Sequence, residues 1–172
     1  FKYYIVWMLM SLCCTASYAH DFEVDGIYYN ITSASNLEVE VTHWGNYTES
    51  YDEANSTPYS GQIIIPDVVS FNSRKYTVVR IGKYAFGAER HEKGTDVTGI
   101  ILPNTIRTIG KCAFKECWRM ESVKLSSELQ SIDDYSFAGT AITNILIPNK
   151  VTTVGRDAFK GCSKLEYAII GS

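Results

Sequence analysis

Apolar residues in the second half of the chain return in fixed columns. Val97, Met120, Ile142 and Leu165 open a unit that continues as a short alternation through Ile100, Val123, Ile145 and Ala168 and then Leu102, Leu125, Ile147 and Ile170. The register carries on through Ile106, Leu129 and Val151, then Ile109, Ile132 and Val154, and ends on Phe114, Phe137 and Phe159. First-column steps, 97 to 120, 120 to 142 and 142 to 165, are 23, 22 and 23 residues. Self-similarity at that period marks a solenoid, because one short coil cannot enclose its own apolar face and must share a core with its neighbours. Stacked coils bring like positions to about 4.8 Å, the spacing of hydrogen-bonded strands. Ile, Val and Leu can therefore interchange within a column. Phe114, Phe137 and Phe159 are predicted to form a buried stack, each ring contributing about 2–3 kcal/mol.

Upstream the pattern loosens. A divergent coil opens at Ile63, Ile64, Ile65 and Pro66 and returns at Ile81, Gly82, Ala85 and Phe86. The excess length inside it predicts a hairpin, 68–71 and 76–79 flanking a turn at Asn72, Ser73 and Arg74. A second, charged insertion at 88–96, which holds His91, is expected to project as a surface loop. Residues 20–62 read as β-structure without the repeat. Asp25 and Gly26 supply a tight turn between 22–24 and 27–29, 37–42 alternates as a half-buried strand, and the polar run 46–60 reads as a loop. The expected organisation is a β-rich N-terminal cap at 20–62, then repeats at 63–172: 63–96, 97–119, 120–141, 142–164 and a partial 165–172.

The stretch Ile145, Leu146, Ile147, Pro148, Asn149, Lys150, Val151, Thr152, Thr153, Val154, Gly155, Arg156, Asp157, Ala158, Phe159, Lys160, Gly161, Cys162 resembles the BspA-type leucine-rich repeat. Residues 101–117 match it again, with Pro103, Ile109, Gly110, Ala113, Phe114 and Cys117 at the same offsets. The coil between them departs: Ser126 stands for the proline, Asp133 for the glycine, Ser136 for the alanine and Thr140 for the cysteine. Asp133 is expected to keep the turn because Asp tolerates a left-handed backbone. The resemblance implies a mainly β fold, a leucine-rich-repeat solenoid of about four coils with parallel strands behind an N-terminal β-hairpin cap. It also implies a non-enzymatic surface protein whose role is adhesion or binding.

Composition changes this picture little. Apolar content of 45% with 20% charged residues is that of a packed globular chain, and a net charge of −3 gives no electrostatic footprint for nucleic acid. The apolar run 3–12 behind Lys2, followed by small residues at Ser17 and Ala19, reads as a signal peptide cleaved after Ala19. The other reading of that run is a buried strand or helix. Lipidation of Cys13 is disfavoured by the bulk of Leu12 before it. The expected location is secreted or cell-surface, without membrane insertion of the mature chain. Sequons stand at Asn30, Asn46 and Asn55.

Candidate chemistry is sparse. His20, His43 and His91 lie in separate segments without metal-ligand spacing. Asp133 and Asp134 are adjacent, so their side chains diverge, and no phosphate loop or nucleophile elbow is visible. No catalytic residue, metal or cofactor is expected. Cys117 and Cys162 share a column two coils apart, about 10 Å, too far for a disulfide. Cys112 and Cys117 flank a turn around Phe114 and are expected to remain small buried thiols.

Function must then lie in surface. Alternation turns one set of residues outward: Gly99, Ser122, Asn144 and Tyr167 in one column, Ile101, Lys124, Leu146 and Ile169 in the next. The candidate ligand-binding face, expected to be concave, comprises Ile101, Ser122, Lys124, Asn144, Leu146, Tyr167 and Ile169. Three of four members of its second column are apolar. Strand propensity or a covering layer would account for that; a recognition surface for a protein or glycan ligand would also account for it. The alternative function is an accessory or spacer region of a larger secreted enzyme.

Overall fold

The computed structural model describes residues 20–43, 59–87 and 95–171. The signal-peptide segment and residues 88–94 of the charged insertion lie outside these residues, as does all of the expected 46–60 loop except Tyr59 and Ser60; the last two residues assigned to the insertion do not project as a loop, since Thr95 is buried and Asp96 begins a strand.

The chain winds between two opposite walls, the first a single eight-stranded sheet and the second two smaller sheets. Along the first run β1 (Phe22–Val24), β2 (Ile27–Ser33), β3 (Glu38–Thr42), β5 (Val68–Phe71), β6 (Arg74–Ile81), β8 (Thr108–Ile109), β10 (Ser131–Ile132) and β12 (Thr153–Val154). The second wall is built of β4 (Ser60–Ile64), β7 (Asp96–Ile101) and β9 (Ser122–Lys124), followed by β11 (Asn144–Ile147) with β13 (Tyr167–Ile170). From β3 onward the chain alternates between walls, apart from the β5–β6 hairpin, both strands of which lie on the first. β3, β6, β8, β10 and β12 pair in parallel on the first, and β4–β7–β9 and β11–β13 pair in parallel on the second. This is a mainly β solenoid of parallel strands, as the resemblance implied.

The winding begins earlier than the sequence pattern suggests. β3 lies in register with β6 and β4 with β7, so both walls already begin at β3 and β4, and β4 runs across the division drawn between residues 62 and 63. Ahead of it, β1 and β2 form the expected hairpin, with Asp25 and Gly26 at φ of 51° and 76°, the mirror-image turn whose twist suits paired strands. The 68–81 hairpin turns at Asn72 and Ser73, φ 49° and 61°, so its second strand starts at Arg74. Phe22 stacks on Phe71 with centroids 4.3 Å apart and planes 4° from parallel, which locks the two hairpins together over the first coil.

Between the walls runs the ring stack. Phe86, Phe114, Phe137 and Phe159 lie face to face at successive centroid distances of 5.2, 5.2 and 5.4 Å. The first three are fully buried. Tyr59 continues the column, 4.6 Å from Phe86, and is buried, which corrects its assignment to a polar loop. Its hydroxyl accepts a hydrogen bond from the Tyr28 N–H and donates to the Thr42 carbonyl, both at 3.0 Å. Burial holds this phenol protonated well above its ordinary range.

The glycine column has a different cause from the one expected. Left-handed backbone falls two residues later, at Tyr84, Cys112, Tyr135 and Asp157, with φ of 55–56°. Gly82, Gly110 and Gly155 are instead sites of close approach. A Cβ there would stand 2.7 Å from the Val41 oxygen, 2.9 Å from the Lys83 nitrogen and 2.4 Å from the Asp134 nitrogen respectively. Each donates its N–H to the preceding coil, to Val41, Ile81 and Ile132. Asp133 makes the same bond to Ile109 at 2.9 Å, so the departure is absorbed by backbone bonding and not by a left-handed Asp.

Candidate functional site

Strand registry settles where the candidate face residues lie. Ser122 pairs with Gly99 and Lys124 with Ile101 across β7–β9, while Asn144 pairs with Tyr167 and Leu146 with Ile169 across β11–β13. All seven stand on the outward side of the second wall, since the residues between them, Ile100, Val123, Ile145, face the core. The wall carries no ladder between β9 and β11, so the face has two halves that adjoin through the stacking of successive coils. Leu146, Tyr167 and Ile169 are exposed, as are Ser122, Lys124 and Asn144, and Ile101 is half-buried.

Two members of the face escaped sequence reasoning. Gln62 pairs with Gly99 and Ile64 with Ile101, and Ile64 is 65% exposed. Ile64 sits between Ile63 and Ile65, and a run of three isoleucines carries no alternation from which to read a direction; parity with buried Ile65 is the signal that could have found it. The outward row is therefore Ile64, Ile101, Lys124, Leu146, Ile169. Leu146 and Ile169 are 59% and 53% exposed, so no layer of the described residues covers them.

The first wall supplies the control. Its outward row, read through the same kind of registry, is Asn30, Glu40, Arg80, Thr108, Ser131 and Thr153. Every position is polar. Strand propensity acts equally on both walls, so it does not account for aliphatic residues on one outward row alone.

Charges around the apolar row are paired at its margin. Arg119 meets Asp96 at 3.4 Å and Lys164 meets Glu121 at 3.3 Å, both exposed and worth about 0–1 kcal/mol each. Lys124, within the row, has no carboxylate partner among the described residues. On the polar wall, Glu40 is pushed up from its ordinary range, first by burial and against the opposing pull of Arg80 and the Asn30 hydrogen bond.

The described residues contain no group of three or more His, Cys, Asp or Glu that could hold a metal. Asp134 is used structurally, its carboxylate accepting the Arg156 N–H at 2.7 Å. Cys112, Cys117 and Cys162 are free thiols. Cys117 donates to the Phe86 carbonyl at 3.2 Å and Cys162 to that of Phe137 at 3.1 Å. Thr95 lies 3.6 Å from the Cys117 sulfur and Thr140 lies 3.3 Å from that of Cys162. Burial pushes the Cys117 thiol up to about 12, far from the thiolate a nucleophile needs. No helix of the described residues is long and apolar enough to cross a membrane.

Known structures repeat this architecture. A leucine-rich repeat protein from Bacteroides capillosus superimposes with a TM-score of 0.68 at 25% identity, covering 88% of this chain and 98% of that one. A leucine-rich repeat protein from Bacteroides ovatus gives 0.62 at 29% identity over 87% of this chain, which spans 41% of that protein. The pneumococcal vaccine antigen PcpA shares the fold at 0.68 and 19% identity, with 91% of this chain covering 38% of it. Comparison with curated proteins finds none that matches the sequence. Residues 79–172, more than half of the chain, match the BspA type leucine rich repeat region in six copies. The chain belongs to the BspA-type leucine-rich repeat family.

Proposed function

We propose that this protein is a non-enzymatic scaffold, secreted or displayed at the cell surface, that binds a protein partner through the outward face of its second wall. The observation that carries the reading is the difference between the two outward rows, aliphatic on one wall and polar on the other. Exposed aliphatic side chains that stand in line lose water to a partner's apolar side chains and so contribute to binding. A glycan would present hydroxyls that Ile64, Ile101, Leu146 and Ile169 cannot hydrogen-bond, which favours protein. Affinity would come from several modest contacts held in fixed register by a stiff array, with no turnover.

The test is binding of the protein to a panel of extracellular-matrix proteins and glycans, with Leu146→Asp and Tyr167→Ala as face variants. A negative charge at Leu146, within the apolar row, is expected to weaken binding to a protein ligand by about tenfold or more. Equal binding by parent and variants, or binding to glycans alone, would overturn the assignment.

A further inference from the structure

We infer that the partner element seated on this wall is an amphipathic helix lying across the strands, with a carboxylate set against Lys124. The inference rests on the protein-binding reading above and names the shape and charge of what binds. Three observations support it. Each strand offers one outward aliphatic or lysine position in the row, flanked by Gln62, Gly99, Ser122 or Asn144 on the first four strands and by Tyr167 on β13, so the aliphatic strip runs across the strands, and only β13 adds a second apolar side chain along its own length. A ligand must follow that direction. The strip lies on a sheet face, where β4, β7 and β9 already spend their backbone groups on one another. A strand laid there would leave its own N–H and C=O groups unpaired, whereas a helix arrives with its own satisfied.

The periods decide further between the two. Hydrogen-bonded neighbours are about 4.8 Å apart, and with the β9–β11 step, which is stacked without a ladder, taken at the same coil rise, the four intervals from Ile64 to Ile169 cover about 19 Å. A helix presents one face every 5.4 Å, about 22 Å over four turns. An extended peptide presents one face about every 6.7 Å, about 27 Å over four steps. The helix drifts by about half a row over the strip, and the extended chain by more than one and a half. Lys124 interrupts the strip at its middle member, with no carboxylate partner among the described residues. A complementary helix therefore carries apolar residues on two turns, an acidic residue on the next and apolar residues on the two that follow. That acid would gain a charge-assisted contact and set the register of docking.

The probes are synthetic peptides of about 18 residues, long enough for the strip. One is helical with this stripe and a central glutamate; a second has lysine at that position; a third has the same composition in strict strand alternation. Fluorescence anisotropy with the intact chain is expected to rank the glutamate helix first, about tenfold tighter than the lysine helix. Lys124→Glu is expected to reverse that order, and Leu146→Asp to abolish binding of both helices. Because Lys124 and Leu146 are exposed, a thermal melt matching the parent certifies each variant as folded. Equal binding of the alternating peptide, an unreversed order in Lys124→Glu, or no binding of either helix would overturn the inference. Such a failure, with matrix-protein binding still lost in Leu146→Asp, removes the helix and leaves the scaffold reading standing. Matrix-protein binding unchanged in Leu146→Asp removes both.

Discussion

The two walls are made by the same chain in alternate half-turns and share one core, yet they face solvent differently. On the first wall β8, β10 and β12 are two residues long, and the outward row runs from Arg80 on the longer β6 through Thr108, Ser131 and Thr153. On the second the strands extend to six residues and turn Ile64, Ile101, Leu146 and Ile169 outward. A solenoid needs only its inward columns for stability. Its outward rows are free to differ, and where they depart from a polar surface they carry information about contact with something else.

The comparison can be broken at its shared centre. Phe137→Ala opens a cavity in the middle of the ring stack and is expected to cost about 3–5 kcal/mol, because both walls lean on that ring. Chemical denaturation should then show one cooperative loss of both walls; a midpoint close to the parent's would disprove the stacked core. Gly110→Ala strikes the first wall alone. Its new methyl would meet backbone atoms of the preceding coil at 2.9–3.0 Å, and a cost of about 1–3 kcal/mol is expected from overpacking. A parent-like melt would mean that the coils can separate there at little cost.

Substitutions on the outward rows sharpen the contrast. Ser131→Asp on the polar wall is expected to leave partner binding unchanged and to shift stability by no more than about 0.5 kcal/mol, where Leu146→Asp is expected to weaken binding by about tenfold or more. Similar losses from both would erase the functional difference between the walls. The smallest effect belongs to Glu40. Its folded pKa is raised, so the neutral form is the one the fold favours. The stability linked to it is fully present below the unfolded value of about 4.3 and is lost as pH rises through the folded value. Glu40→Gln should therefore be slightly more stable than the parent at pH 7, with the gap closing as the parent's carboxyl protonates in acid. A gap of the opposite sign at neutral pH would place the Arg80 attraction above burial.

Much of this architecture was legible because a repeat states its core several times. Phe114, Phe137 and Phe159 stand in matching positions, and the hairpin turns at Asp25–Gly26 and Asn72–Ser73 carry residues suited to left-handed backbone. What stayed hidden was whatever occurs once. Tyr59 fills the phenylalanine column with a different ring, at the edge of a polar run, and its burial depends on two backbone partners, at residues 28 and 42, distant in sequence. Ile64 lay in an unbroken apolar triplet. The outward polar row of the first wall was hidden beyond Arg80, because β8, β10 and β12 are two residues long and too short to show an alternation. The purpose of Gly110 and Gly155 was misread because close approach and left-handed geometry demand the same residue, and only coordinates separate them.

The Thr95, Cys117, Thr140, Cys162 column has a consequence for where such a scaffold can work. Its sulfurs stand where hydroxyls also serve, feeding hydrogen to the carbonyls of Phe86 and Phe137, and none of the described cysteines is cross-linked. A reductant therefore finds no staple to cut among them. The described array should hold its shape equally with and without a reductant.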